Sequence, residues 1–406
     1  MSRFRMYSSP SSTAGAMWSV GATVFIITVA SFARAPLLPE IGSEFSLGAT
    51  QLGLLTALFA AGRLVADLPV GRLTDEIPTR RMLGTSSVIV VGASLLFAGA
   101  PIAAVIYIAA FLGGVGSSWT NTTGMAFFAT ATSGRRRGTS LSLFATALLA
   151  GQAFGPAFGG AIESLGSWRW SFVAAGLLAG LGLIAVRAAP TSGSEGRETN
   201  RRSDEEAAIP RRVAAVLYAL PALQFAIGGA LIQTLFPIIG DAELGLSVRT
   251  IGLGLAVGGV ARVLGALAAG RASDELGRRW ALISGLAVQA IGITIGALDP
   301  TFGTWLTAIG LASLGSVGVS VGATVLGDLT GSGRLGKRLG VFRFAGDAGF
   351  VVGPLVAGLL YDALGRAGAL LPMAAATAVL MIAAALILPE TRPGPSRRQV
   401  MEEGRS

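Results

Sequence analysis

The sequence predicts an all-α integral membrane protein: twelve transmembrane helices in two pseudo-symmetric six-helix bundles, with both termini on the cytoplasmic side. Three observations predict it. Of 406 residues, 52% are hydrophobic and 13% charged, and the mean hydropathy is +0.67. Apolar runs of about 20 residues recur from end to end, long enough to cross a bilayer as helices. Last, one charged phrase is written twice: "GRLVADLPVGRLTDEIPTRR" (62–81) and "ARVLGALAAGRASDELGRRW" (261–280) align at a constant offset of 199 residues.

In chain order, the apolar runs place helices 1–6 at 16–37, 48–72, 81–99, 102–128, 138–162 and 168–188. "MWSVGATVFIITVASFA", from Met17, is the first. "MSRFRM" before it and Ala33-Arg34-Ala35 after it imitate a cleavable signal peptide. The further candidate spans downstream favour a retained first helix. Residues 1–188 form the N-terminal bundle. Residues 189–212, rich in charge, Gly and Ser, form a cytoplasmic linker that has too little apolar surface to bury. Helices 7–12 follow at 213–240, 248–272, 279–298, 302–327, 338–361 and 367–389, ending with "LLPMAAATAVLMIAAALIL" from Leu370. These make a C-terminal bundle over 213–389, and a charged cytoplasmic tail occupies 390–406.

Charge sets the orientation. With both termini inside, 24 of the 31 basic residues fall in cytoplasmic loops and tails, and four (Arg34, Arg169, Arg249, Arg366) fall outside. Arg63, Arg262 and Arg343 lie within spans. Basic residues gather on the cytoplasmic side of membrane proteins, so this split supports N-in, C-in. The net charge of +9 is accounted for in the same way and does not call for nucleic acid.

The chain has no Cys and no His. That excludes disulfides, thiolate chemistry, imidazole metal sites and His proton relays. No metal site, no catalytic residue and no Ser–His pair can be assigned, so an integral membrane enzyme is not expected. A transport-dead sensor would need a signalling domain, for which neither tail has the length.

The doubled phrase ends the second helix of each half. It pairs Gly71 with Gly270 and Asp75 with Asp274, and Arg80 with Arg279, which follows Arg278. A second duplication links "GQAFGPAFGG", from Gly151 on helix 5, with "GFVVGPLVAG", from Gly349 on helix 11. Two six-helix repeats around a midplane site are an architecture of transporters.

These residues resemble the major facilitator superfamily of secondary transporters, nearest its drug and solute efflux type. The family's signature between helices 2 and 3 is similar to Gly270, Asp274, Gly277, Arg278 and Arg279. The first copy keeps Gly71, Asp75 and Arg80 but carries Glu76, Pro78 and Thr79. The efflux signature of helix 5 resembles Gly151, Gly155, Pro156, Gly159 and Gly160, with Ser142 in place of an earlier glycine. The resemblance implies alternating access, a small-molecule substrate, no cofactor beyond a proton gradient, a monomer in the lipid bilayer, and location in the cell (inner) membrane. It also implies that each acid of the doubled phrase latches the cytoplasmic side against the other half, aided by the positive end of a helix. Pro156, Pro354 and the glycines around them (Gly155, Gly159, Gly160, Gly353) serve either to bend helices 5 and 11 or to pack them tightly.

Charges inside spans are the sharper signal, since burying them in hydrocarbon is costly. Arg63 and Asp67 on helix 2, and Arg343 and Asp347 on helix 11, each stand four residues apart. Arg262 on helix 8 lacks such a partner, Ala266 standing where the repeat would put an acid. A lone arginine there is expected to bind substrate or polar groups of helix 5 or 10. At ~1.5 Å rise per residue, Asp67 and Arg343 fall at similar depths, as do Arg63 and Asp347. If helices 2 and 11 meet, as the resemblance implies, two bridges cross the halves when the cytoplasmic side is closed. Candidate cavity residues are Arg34, Asn121, Gln152, Gln224, Gln233 and Ser316; Arg34 has the alternative of reaching the outer interface. Proton-coupled efflux of a small organic solute is the expected function, and uptake of an organic anion on Arg262 or Arg343 is the alternative.

Overall fold

In hydrocarbon a backbone amide has no water to bond, so an apolar run satisfies its N–H and C=O groups within itself, as helix. The computed structural model describes residues 10–132, 136–189, 209–330 and 335–391, and these are helical with no strand among them. Among the described residues, eleven helical runs are long and apolar enough to cross a membrane. We number the helices by crossing. The first, α1, comprises Pro10–Phe32 and, beyond a 3-10 turn at Ala35–Leu37, Leu38–Phe45. Then come α2 (Ala49–Glu76), α3 (Thr79–Ala98), α4 (Ala103–Thr130), α5 (Arg136–Glu163) and α6 (Trp168–Ala185). In the second half α7 is Arg211–Ala230, a π turn at Leu231–Leu235, and Phe236–Ala242; α8 is Val248–Glu275 and α9 is Arg278–Ala297. α10 is Phe302–Leu314 plus Gly318–Asp328. The final run, Leu335–Ile387, is interrupted at Gly365 (φ 70, ψ −171), which divides it into α11 (335–364) and α12 (366–387).

Three expected helices are thus discontinuous. The first turns at Pro36, which lacks an amide donor, and continues to Phe45 rather than ending at 37. The seventh passes through a π turn. The tenth breaks at 315–317, where Gly315 and Gly318 flank Ser316. Most of the expected linker and all of the tail beyond Thr391 lie outside the described residues, as do Arg3 and Arg5.

The halves meet along two seams, α2 against α11 and α5 against α8. Glycines set the distance. A Cβ placed on Gly53 of α2 would collide with the Pro354 carbonyl of α11, and one on Gly358 with the Ala49 carbonyl. On the other seam a Cβ on Gly252 of α8 would lie 2.5 Å from the Pro156 carbonyl of α5, and one on Gly160 2.7 Å from that of Val248. Small residues that let backbones touch are how apolar helices associate in lipid. At the opposite ends of the same four helices, Gly71, Gly138, Gly270 and Gly340 have no described atom within 4 Å of such a Cβ.

The apolar clusters repeat this asymmetry. One cluster joins the halves: Leu38, Ile41, Leu52, Phe59 and Trp168 pack with Ile238, Val248 and Phe350. The clusters at the other end stay within single halves. Val20, Leu83, Phe128 and Phe144 belong to the first, and Leu217, Leu282, Leu326 and Phe342 to the second. Among the described residues the halves are sealed at the end bearing the α1–α2 and α7–α8 turns, and the apolar clusters do not join them at the end bearing the doubled phrase.

Candidate functional site

On the sealed face the N-terminus of α2 carries free amides. Its first flanking residue, Gly48, has no side chain with which to cap them, though Gln51 accepts from the Gly48 amide at 2.6 Å. The cap comes from the other half. Asp362, near the end of α11, accepts from Ala49 N (3.0 Å), Thr50 N (2.8 Å) and Thr50 Oγ1 (2.6 Å). Each half also has its own brace. Glu44 accepts from Arg169 Nη2 (2.5 Å) and Trp168 Nε1 (2.7 Å), while Glu243 accepts from Tyr361 Oη (2.9 Å) and pairs with Arg366 Nη1 (3.2 Å). Glu44 and Glu243 stand at the 199-residue offset of the doubled phrase.

Below this lid Arg34 is buried at the turn after Phe32. Its Cζ lies 3.7 Å from the centre of the Phe59 ring, Nη1 donates to the Ser31 carbonyl (3.3 Å), and Nη2 reaches Gln233 Oε1 across the halves (3.5 Å). Gln233 lies in the π turn, and its carbonyl accepts from Thr56 Oγ1 of α2 (3.2 Å).

Deeper along the α2–α11 seam is a charged cluster. Arg343 Nη2 lies 3.5 Å from Asp67 Oδ1, and its Nε lies 3.9 Å from Asp347 Oδ2. Asp67 Oδ1 also accepts from Ser118 and from Thr122 (3.1 Å) on α4. One guanidinium therefore sits between two carboxylates, one from each half. Arg63 donates to Ser117 Oγ (3.1 Å). On the α5–α8 seam Arg262 Nη1 meets an uncharged acceptor, Gln152 Oε1 (3.5 Å).

Several buried atoms here have no hydrogen-bond partner among the described residues: Nε of Arg34 and Arg63, Oδ2 of Asp67, Oδ1 of Asn121 and Oγ of Ser316. Such atoms are rare in folded proteins and call for water or a ligand.

The Major Facilitator Superfamily model matches residues 20–240 and 220–405, together nearly the whole chain. The chain belongs to the Major Facilitator Superfamily. Its relatives in this family include the class C tetracycline resistance protein of Escherichia coli, 25% identical over 337 residues, 80% of this chain and 84% of that protein. Multidrug resistance protein 1 of Bacillus subtilis is 26% identical over 238 residues, 56% of this chain and 60% of that one. Among solved structures, a bacterial homologue of the human lysosomal transporter Spinster, inward-facing and unoccupied, shares the fold. Its TM-score is 0.73 at 16% identity, over 93% of this chain and 96% of that one. The protein is accordingly a multi-pass membrane transporter of this superfamily, with efflux-type relatives.

Within the superfamily fold, the expected residues divide. Asp67 and Arg343 come together across the halves even though the apolar clusters at the end bearing the doubled phrase stay within single halves. The contact therefore does not mark a closed cytoplasmic side as expected. Arg262 finds helix 5 through Gln152. The expected Arg63–Asp347 bridge is not formed, and neither is an Arg63–Asp67 pair. Gly62 and Gly114 bring α2 and α4 into backbone contact, and Arg63 is spent on Ser117 there. Arg34 does not reach the outer interface but is buried between halves. Gln224 turns within its own half, donating to Gln289 Oε1 of α9 (2.6 Å).

The second copy of the doubled phrase is tied into the C-terminal half. Arg278 pairs with Asp274 and with Asp328 Oδ2 (3.4 Å), and Arg279 donates to the Ala385 carbonyl. The Arg278 and Arg279 amides donate to the Glu390 carboxylate at 2.8 and 3.3 Å. That carboxylate fits because Gly277, at φ 112, has no Cβ to obstruct it. In the first copy Gly71 and Arg80 are exposed, and the Asp75 side chain lies outside the described residues. Pro156 and Pro354 sit inside continuous helix. Gly155 and Gly159 abut α1, Gly160 abuts α8 and Gly353 abuts α7, so the motif is used here for packing.

Proposed function

We propose that the protein is a secondary active transporter that exports a small organic solute by alternating access, driven by the proton gradient. On this reading it crosses the cell (inner) membrane twelve times as a monomer with both ends cytoplasmic, and the end at which the apolar clusters stay within single halves faces inward. The observation that carries the reading is the asymmetry of the seams: glycine-mediated contact, a shared apolar cluster and the Asp362 cap at one end, and separate clusters at the other. Two-state transporters expose one central site to each side in turn. The abundance of basic residues on the open end agrees with a cytoplasmic opening. Coupling is assigned to Asp67 and Asp347, which share Arg343. When the seam separates, the guanidinium is left to one of them, and the other is free to exchange a proton. The efflux relatives support export. Proteoliposomes with an imposed pH gradient test this: solute moving against the proton flow is expected, and indifference to the gradient overturns the coupling.

A second reading, uptake of an organic anion, is favoured by Arg34 and Arg63, whose Nε atoms are buried without a partner. Flux with the proton flow rather than against it would select it.

A further inference from the structure

On the flank of the C-terminal half, α7, α11 and α12 enclose a groove of about 810 Å³ whose lining side chains are all apolar. Its floor is a stripe of small residues on α7 running from Ala215 through Ala219 to Ala230, and its walls include Val352, Val356 and Val379. The groove does not open on the seam. Pro354 and Gly358 are the α11 residues that meet α2, and Val352 and Val356 lie on the opposite face of the helix, 57% and 43% exposed. Val379 of α12 is 66% exposed. The groove therefore faces lipid, and a concavity lined by alanine leaves its walls without dispersion contacts unless something fills it.

Its length and its mouth say what fills it. From Ala215 to Ala230 the floor runs about 22 Å at the helical rise, longer than one leaflet's share, about 15 Å, of the hydrocarbon core. Arg211 and Arg212 begin α7, both exposed, one turn before Ala215 on the same stripe. Neither makes an ion pair with a described residue. We propose that the groove binds an anionic phospholipid, with one acyl chain along the α7 floor and the phosphate held by Arg211 and Arg212. Guanidinium is the side chain best suited to phosphate. A second copy of the chain answers the site less well. The exposed face of α12, with Val379, Ile382 and Leu386, offers the two arginines no carboxylate.

The test uses the full-length protein in detergent, with phosphatidylglycerol and phosphatidylcholine of identical acyl chains, and native mass spectrometry to count retained lipid. Two arginines at about 1 kcal/mol each predict a preference for phosphatidylglycerol of roughly ten- to thirtyfold. Arg211→Gln with Arg212→Gln is expected to remove the preference while chain binding remains. Ala219→Trp, which fills the groove from an exposed position, is expected to displace both lipids. Equal retention of the two lipids by the unmodified protein overturns the proposal, as does a preference that survives both variants. A lipid-free dimer dissolved by Ala219→Trp also overturns it, since a second copy would then be the occupant.

Discussion

The two seams have the same steric design and different electrostatics. On each, glycines of one half take the backbone of the other at the sealed end, and an arginine within the span meets a polar side chain of the other half. On the α2–α11 seam that arginine, Arg343, meets two carboxylates; on the α5–α8 seam Arg262 meets an amide. The position equivalent to Asp67 on α8 is Ala266. Duplication has kept what closes the transporter, because a seam that cannot close fails in either half. The carboxylates have been kept on one seam only.

Substitutions can break this comparison at several strengths. Arg343→Leu removes a partly exposed guanidinium that pairs with the half-buried Asp67 and the buried Asp347. The cost lies below the roughly 3–5 kcal/mol of a fully buried pair, and a loss of about 1.4 kcal/mol lowers gradient-driven flux in proteoliposomes roughly tenfold. Exchanging the charges, Asp67→Arg with Arg343→Asp, should recover part of the loss. A flux within threefold of the parent in Arg343→Leu would show that the charged seam has no special role.

Asp347→Asn keeps the shape and removes the titrating group. Downhill exchange of solute should persist while its response to an imposed pH gradient disappears, read in the same vesicles. Full retention of the response would move coupling away from α11.

Asp362→Ala acts on the sealed face. Loss of a helix cap costs about 0.5–2 kcal/mol, which predicts an outward-open population raised by roughly two- to thirtyfold. Spin labels at the outer ends of α2 and α11 should report a new long-distance component. The absence of native cysteine makes the labelling direct.

Gln152→Ala is the mildest. A hydrogen bond contributes about 1 kcal/mol, and the 3.5 Å contact is a long one, so apparent affinity should change by no more than about fivefold. A loss as deep as that of Arg343→Leu would make the two seams electrostatically equal.

Much of this was legible in the sequence because the signals are local or periodic. Spans follow from apolar length, and the repeat follows from the offset. The Asp67–Arg343 contact follows from helical rise once α2 and α11 are neighbours. Rise gives depth but not contact, and so Arg63, at the depth of Asp347, falls short of a bridge to it and bonds to Ser117 of α4. The Asp362 cap joins residues 313 apart through backbone amides, which no pattern of side chains announces. The braces of Glu44 and Glu243 were open to discovery, since these two acids share the offset that exposed the doubled phrase. The break in α10 also had a signal: Gly315 and Gly318 around Ser316, with Gly315 seated against the backbone of Gln289 on α9.

The borrowed cap on α2 has a consequence for the timing of the cycle. A helix that depends on another half of the molecule for its first turn cannot keep that turn when the halves part. Opening to the outside should therefore fray Ala49 to Leu52, and those amides should exchange with deuterium at the rate at which the gate opens. The backbone of α2 is in that sense a built-in clock for the transporter, readable without any label or substrate.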